Sequence, residues 1–189
     1  MKAIAIVGSA RKDGNTVALA RIVLGELEKV GIETELIELA GLEIKSCKAC
    51  YRCFANKDGK CIIKSDIVNE LIGKMVEADA IIIGSPTYFS NVSSEIKALI
   101  DRAGLVGLAN DSMFKRKVGA AVVAVRRAGS VNVFDAINKF FFINQMIVPG
   151  SIYWNMGIGR NPGDVNEDEE GIETMRVLGK NMGWLLKKL

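Results

Sequence analysis

The chain contains no histidine. That absence removes Ser-His-Asp and Cys-His nucleophilic schemes, imidazole-ligated metals and the commonest general base, so an enzyme built on this sequence draws its chemistry from a cofactor. Only three prolines occur in 189 residues, and no compositional break marks a linker, so one domain spanning residues 1–189 is expected. No apolar run approaches the length of a membrane span, and neither repeats nor low-complexity tracts occur, which argues against a membrane protein. The opening Met1–Val7 runs straight into a glycine turn without a secretory h-region, so a cytoplasmic setting, where disulfides do not persist, is expected. A net charge of +3 and a pI near 8.6 give little reason to expect a nucleic-acid surface.

Cysteine is scarce but concentrated. All four fall in one window, as Cys47-Lys48-Ala49-Cys50-Tyr51-Arg52-Cys53 followed by Cys61. Three thiolates separated by two residues each can occupy three corners of an iron–sulfur cubane, and Cys61 can supply the fourth. Structural zinc more often uses two separate knuckles joined by a longer spacer; zinc and unliganded thiols both remain open on spacing alone. Between Lys45 and Lys64, six cations (Lys45, Lys48, Arg52, Lys57, Lys60, Lys64) oppose only Asp58, a local charge of +5 that leaves the rest of the chain at −2. Such a patch lowers thiol pKa values, offsets the charge of gathered thiolates and attracts acidic redox partners.

Short apolar runs alternate with segments of helical period. Strands are predicted at Ile4–Val7, Glu33–Ile37, Ala80–Gly84, Val118–Val125 and Met146–Tyr153. Helices are predicted at Val17–Val30, from a Ser65 or Asp66 cap to Val76, and at Ser93–Ala103, Val131–Asn144 and Glu167–Lys187. Strands this apolar are buried on both faces, which predicts a five-stranded parallel sheet in a doubly wound α/β fold, with ligands beyond the carboxyl ends of the strands. The acidic run Glu167–Glu170 suits a helix N-terminus, and Trp154 and Met156 are expected in the loop after the fifth strand.

The first such loop, Gly8–Thr16, lacks both the Walker and the dinucleotide glycine patterns. It offers hydroxyls at Ser9 and Thr16, an amide at Asn15, a guanidinium at Arg11 and the N–H groups of a helix start. That donor set suits a terminal phosphate dianion.

Three motifs together, Ser9-x-Arg11-x-x-Gly14-Asn15-Thr16, Gly84-Ser85-Pro86-Thr87-Tyr88 and Ser93-x-x-x-Lys97-x-x-Ile100-Asp101-Arg102, resemble the flavodoxin-like NAD(P)H-dependent FMN reductases. With the cysteine window added, the chain most resembles the iron–sulfur flavoproteins of anaerobes. The resemblance implies FMN with its phosphate on Ser9, Arg11, Asn15 and Thr16 and its ring against Pro86, Thr87, Tyr88 and Phe89, where a rigid proline and flat side chains suit an apolar ring with polar edges. It also implies a [4Fe–4S] cluster on Cys47, Cys50, Cys53 and Cys61, in the cysteine-rich loop at about 45–64. The loop Arg126–Ser130 faces the same crevice, where Arg127 would stabilise a reduced ring and Gly129 would allow close backbone approach. Lys97, Asp101 and Arg102 are read as helix-face ion pairs that touch no substrate.

The expected activity is electron transfer between a reduced donor, FMN and the cluster, with no catalytic side chain of its own. The donor is a ferredoxin-like protein or NAD(P)H, the acceptor a small molecule, and the assembly a homodimer or homotetramer, all by resemblance. The competing expectations are a clusterless FMN or quinone reductase and a zinc-stabilised non-catalytic electron carrier.

Overall fold

The computed structural model describes residues 1–189. In chain order the elements are β1 (Lys2–Val7), α1 (Asn15–Glu28), β2 (Glu33–Glu38), α2 (Arg52–Asn56), α3 (Val68–Glu77) and β3 (Ala80–Pro86). There follow α4 (Ser94–Ala109), β4 (Val118–Val125), α5 (Ser130–Ile143), β5 (Met156–Ile158), a 3₁₀ turn (Asp164–Glu167) and α6 (Glu169–Leu186). The sheet is parallel throughout, in the order β2-β1-β3-β4-β5.

Side-chain alternation along the strands explains the two helical layers. Ile4, Ile6, Ile81, Ile83, Ala121 and Val123 point to one face, where α3, α4 and α5 cover them with Leu71, Ile72, Leu99, Ile137 and Phe141. Ala5, Val7, Ile82, Ala120 and Val122 point to the other, against Leu19, Val23 and Leu27 of α1 and Leu178 and Met182 of α6. Burial on both faces is why these strands read as unbroken apolar runs. The winding direction reverses between β1 and β3, which opens a crevice at their carboxyl ends.

Two expected elements change by more than two residues at a boundary. α4 continues past Ala103 to Ala109, because Gly107 lets the helix lie directly on Phe114; a Cβ there would sit 2.8 Å from the ring. The fifth strand is not Met146–Tyr153. Ile147 makes a single bridge to Val118, then Pro149, with no N–H to donate, interrupts the ladder and the chain leaves the sheet. It returns where the Asn155 carbonyl accepts the Val123 N–H at 3.0 Å, and Met156–Ile158 pairs with Val123–Val125. Trp154 therefore precedes the strand and Met156 lies within it. No helix is long and apolar enough to cross a membrane.

Candidate functional site: a cationic cavity and a cysteine loop

At the β1/β3 reversal lies a cavity of about 320 Å³, within the range of small-molecule sites. Ser9, Arg11, Asn15 and Thr16 line it from the β1 loop, Pro86, Thr87 and Tyr88 from the end of β3, Ala124, Val125 and Arg126 from the end of β4, and Gly159 and Arg160 from beyond β5. Three arginines and no carboxylate are among these residues, so the cavity favours an anion.

The β1 loop turns on Ser9, whose Oγ accepts the Arg11 N–H at 3.1 Å and donates to the Arg11 carbonyl at 3.0 Å. Gly14 precedes α1, and no side chain caps that end. The first-turn N–H groups, which lack helical partners, are thus left for another acceptor. Asn15, assigned from sequence to phosphate, uses its side chain differently. Nδ2 donates to the Asn161 carbonyl at 2.9 Å, and Oδ1 accepts the Gly163 N–H at 2.8 Å. Arg11 Nη1 donates to the Arg160 carbonyl at 2.8 Å, so both residues tie the β1 loop to the β5 loop. Asp164 in turn holds the β5 loop by accepting from the N–H groups of Asn161 and Arg160; those bonds keep its carboxyl below the ordinary aspartate range.

On the other wall, Thr87 Oγ1 is buried without a hydrogen-bond partner. A buried hydroxyl left unpaired is costly, and at the edge of a cavity it marks where a ligand's polar atom fits. Beyond it, Tyr88 and Asn91 exchange two backbone hydrogen bonds of 3.0 Å around Phe89 and Ser90, both left-handed at φ 48° and 57°. This tight turn throws Phe89 wholly into solvent, away from the cavity lining. Arg127 and Gly129 are likewise outside the lining, and Arg126 takes the place expected of Arg127. Gly129 has φ 88°, and a Cβ there would lie 2.4 Å from Ser90 Oγ, so its close approach in this structure is to the β3 loop. Gly159 and Arg160 were missed because the fifth strand was placed too early; Arg126 belongs to the loop after β4 that the sequence already pointed to. The glycines flanking Ile158 and the Asn161-Pro162-Gly163 turn were the available signal.

The cavity fits FMN by its donor chemistry: an open helix end, adjacent guanidinium groups for a phosphate and an unpaired hydroxyl beneath a rigid Pro86 turn.

The four cysteines are free thiols on the segment between β2 and α3; Cys50 is exposed and the others partly so. No three of them come close enough together to hold a metal ion in this arrangement. The donor set nevertheless has the chemistry of a cluster site: four soft sulfurs on one loop, one of them already accepting a backbone N–H, from Ala49 to Cys47 Sγ at 3.4 Å. Left-handed residues at Ala49, Tyr51 and Lys57 turn the chain around the α2 cysteine. Lys45, Lys48, Arg52 and Lys64 line a groove of about 660 Å³ with Cys50, so the cationic window forms one surface. The expectation that cations depress the thiols does not extend to Cys53, where burial outweighs its N–H partners and pushes the thiol up.

Arg102 overturns its reading as a surface ion pair. Lys97 and Asp101 pair on the exposed face of α4, but Arg102 points inward and is 1% exposed. It is paired with the equally buried Asp66. Burial alone would lower its pKa and raise that of Asp66; the hydrogen bond between them, joined by the Lys45 and Val68 N–H groups on Asp66 and by Cys61 Sγ on Arg102, reverses both shifts.

Residues 1–161 match the family model described as NADPH-dependent FMN reductase. An iron–sulfur flavoprotein of Methanocaldococcus jannaschii is 42% identical, over 99% of this chain and 98% of its own length. An iron–sulfur flavoprotein of Archaeoglobus fulgidus is 35% identical, over 96% of this chain and 94% of its own length. The solved structure of RosB with bound 8-demethyl-8-formylriboflavin-5′-phosphate superposes with a TM-score of 0.78 at 19% identity, covering 100% of this chain and 80% of RosB, a likeness of fold. With the crevice at the flavodoxin-type strand reversal already described, these matches settle the family: the chain belongs to the NADPH-dependent FMN reductases and is a flavin-dependent oxidoreductase.

Proposed function

We propose that this protein moves electrons between a reduced donor and a small-molecule acceptor through FMN held in the cavity at the β1/β3 reversal, with a [4Fe–4S] cluster on Cys47, Cys50, Cys53 and Cys61 as its one-electron port. The observation that carries the flavin half is the pairing of an uncapped α1 N-terminus with an unpartnered Thr87 hydroxyl across one cationic cavity. FMN exchanges either a hydride or single electrons, whereas a cluster takes one at a time, so the two together would couple both kinds of partner.

The chain's own part is positional. The α1 end and Arg11 bind the phosphate, with Arg160 held beside them through its carbonyl. Pro86 keeps the β3 end rigid, Thr87 Oγ1 supplies a hydrogen bond to the ring edge, and the half-exposed Tyr88 covers one side. Arg126 brings positive charge to the cavity, which favours an added electron. The names of the relatives and the soft donor set support the cluster. The groove of Lys45, Lys48, Arg52 and Lys64 beside Cys50 suits an acidic redox protein such as a ferredoxin; NAD(P)H, approaching an exposed ring, is the other donor proposed.

One observation favours a second reading. Since no three sulfurs converge, a clusterless NAD(P)H-dependent FMN or quinone reductase accounts for the same cavity. An anaerobic absorption and EPR spectrum with iron and sulfide analysis separates the two: flavin bands with stoichiometric iron and sulfide support the first, flavin bands alone the second. A colourless protein that takes up no added FMN overturns both.

A further inference from the structure

The segment that carries every cysteine is closed at its base by one side chain of α4. Arg102 Nη1 donates to the carbonyl of Lys45, before the first cysteine, at 3.1 Å, and Nη2 donates to the carbonyl of Ile63, after the last, at 3.0 Å. Nη1 also donates to Asp66 Oδ2, which accepts the Lys45 N–H at 3.0 Å. Its Nε–H points at Cys61 Sγ at 3.3 Å. The Cys61 backbone is fixed independently by Asn69 of α3, whose Oδ1 accepts the Cys61 N–H at 2.8 Å and whose Nδ2 donates to the Cys61 carbonyl at 2.9 Å. Cys61 is thus the one cysteine with both its backbone and its sulfur tied to the helical scaffold. Cys47, Cys50 and Cys53 sit on a stretch turned by left-handed residues and joined to the core by few such bonds.

An arginine buried to 1% exposure requires compensation. Asp66 balances its charge, and the two loop carbonyls satisfy further donors. The Nε contact to sulfur is not needed for any of that. A simple ion pair would be met by lysine; only the planar guanidinium fork reaches two carbonyls, a carboxylate and a sulfur at once.

We propose that Arg102 is a positioning residue for the cysteine centre: it staples the two ends of the 45–63 segment together, pre-places the sulfur of Cys61 and, through Nε–H, draws electron density from that sulfur. The inference rests on the cluster reading above only for its redox consequence; the clamp itself belongs to the polypeptide. A donor aimed at a ligating sulfur stabilises the more reduced, more negative state, so it raises the potential of the centre.

The test uses the full chain with FMN bound, in two arms. In metal-free protein labelled with ¹⁵N-arginine, the Arg102 Nε–H is expected to be protected from solvent exchange and to shift in Cys61→Ala. An Nε–H that exchanges like those of exposed arginines, or is unmoved by Cys61→Ala, overturns the contact. In anaerobically reconstituted protein, Arg102→Lys keeps the charge opposite Asp66 but lacks Nε–H. The EPR-monitored midpoint of the centre is expected to fall while the flavin midpoint in the same sample stays in place. A centre whose midpoint is unmoved, or one that moves together with the flavin, overturns the tuning role. If Arg102→Lys does not fold, the first arm decides the proposal on wild-type and Cys61→Ala protein. If wild-type protein takes up no iron, the cluster reading falls while the first arm still judges the clamp.

Discussion

Asn15 and Asn161 meet across the mouth of the cavity, the Nδ2 of one donating to the carbonyl of the other at 2.9 Å, while Asn15 Oδ1 holds the Gly163 N–H. The first residue of α1 thereby fastens the β5 loop, 146 positions later in sequence, to the anion-binding turn. Its backbone N–H stays at the open helix end; its amide is a staple.

Asn15→Ala is therefore expected to act twice. Removing both bonds leaves the Gly163 N–H without its partner and destabilises the protein by about 1–3 kcal/mol. Releasing the Arg160 loop also weakens FMN. Thermal unfolding of the flavin-free protein reads the first effect and flavin fluorescence titration the second. An unaltered dissociation constant would show that the β5 loop takes no part in binding.

Arg11→Ala separates phosphate from ring. Loss of a charge-assisted hydrogen bond is expected to weaken FMN by about 1.5–3 kcal/mol. Riboflavin, which has no phosphate, should bind the variant and the wild type alike. Equal losses for both flavins would move Arg11 from the phosphate to the ring.

Thr87→Val exchanges stability for function. The Thr87 hydroxyl is buried and unpaired, so an isosteric methyl in its place removes a desolvation cost of about 1–3 kcal/mol and should raise the unfolding temperature of the flavin-free protein. The same change is expected to lower FMN affinity. A variant that gains stability and binds FMN unchanged would leave the hydroxyl without a ligand role.

The β1 loop, the Pro86 turn and the cysteine window were legible because each follows a strong local signal: a strand ending in glycine, a proline, a cysteine spacing. What sequence could not supply was distance. The Met146–Tyr153 run has the composition of a strand, but a single proline after Ile147 diverts it, and the displaced β5 carried Gly159 and Arg160 out of view. Arg102 sits in a helical ion-pair pattern with Lys97 and Asp101, yet its rotation about α4 points it at Asp66 and Cys61, partners 36 and 41 positions earlier in the chain. Asn15 and Phe89 show the same limit: Asn15 lines the cavity as expected, but its side-chain amide is bonded to the Asn161 carbonyl and the Gly163 N–H, and a left-handed turn carries Phe89 outside the lining.

Acid should loosen the cysteine segment through Asp66. Burial would raise this carboxyl, but hydrogen bonds from Arg102 and from the N–H groups of Lys45 and Val68 leave it below the ordinary value. Its stabilising contribution is then fully present above the unfolded aspartate pKa of about 3.9 and is lost as pH falls through the lower folded value. Asp66→Asn should abolish that part of the acid limb and, by leaving Arg102 uncompensated, cost about 3–5 kcal/mol at neutral pH. Urea unfolding between neutral pH and the acid limb measures both; an acid limb identical to wild type would deny Asp66 its part.

The turn at Phe89-Ser90 offers a prediction with two sides. Both central residues are left-handed, the geometry of a type I′ turn that asparagine and glycine fill without strain, whereas other residues incur roughly 1–2 kcal/mol each. Replacing Phe89-Ser90 by Asn-Gly should therefore stabilise the protein by about 1–2 kcal/mol. The same loop is pressed against Gly129, where a Cβ would meet Ser90 Oγ at 2.4 Å and Ser90 Cβ at 3.1 Å. Gly129→Ala adds a left-handed alanine and a clash in the wild-type background, but in the Ser90→Gly background the clash with that side chain is gone. A double-mutant cycle on unfolding free energies should show the Gly129→Ala penalty shrinking when Ser90 is glycine. Strict additivity would mean that the β3 and β4 loops move apart freely and that the close approach of Gly129 to Ser90 carries no energetic coupling.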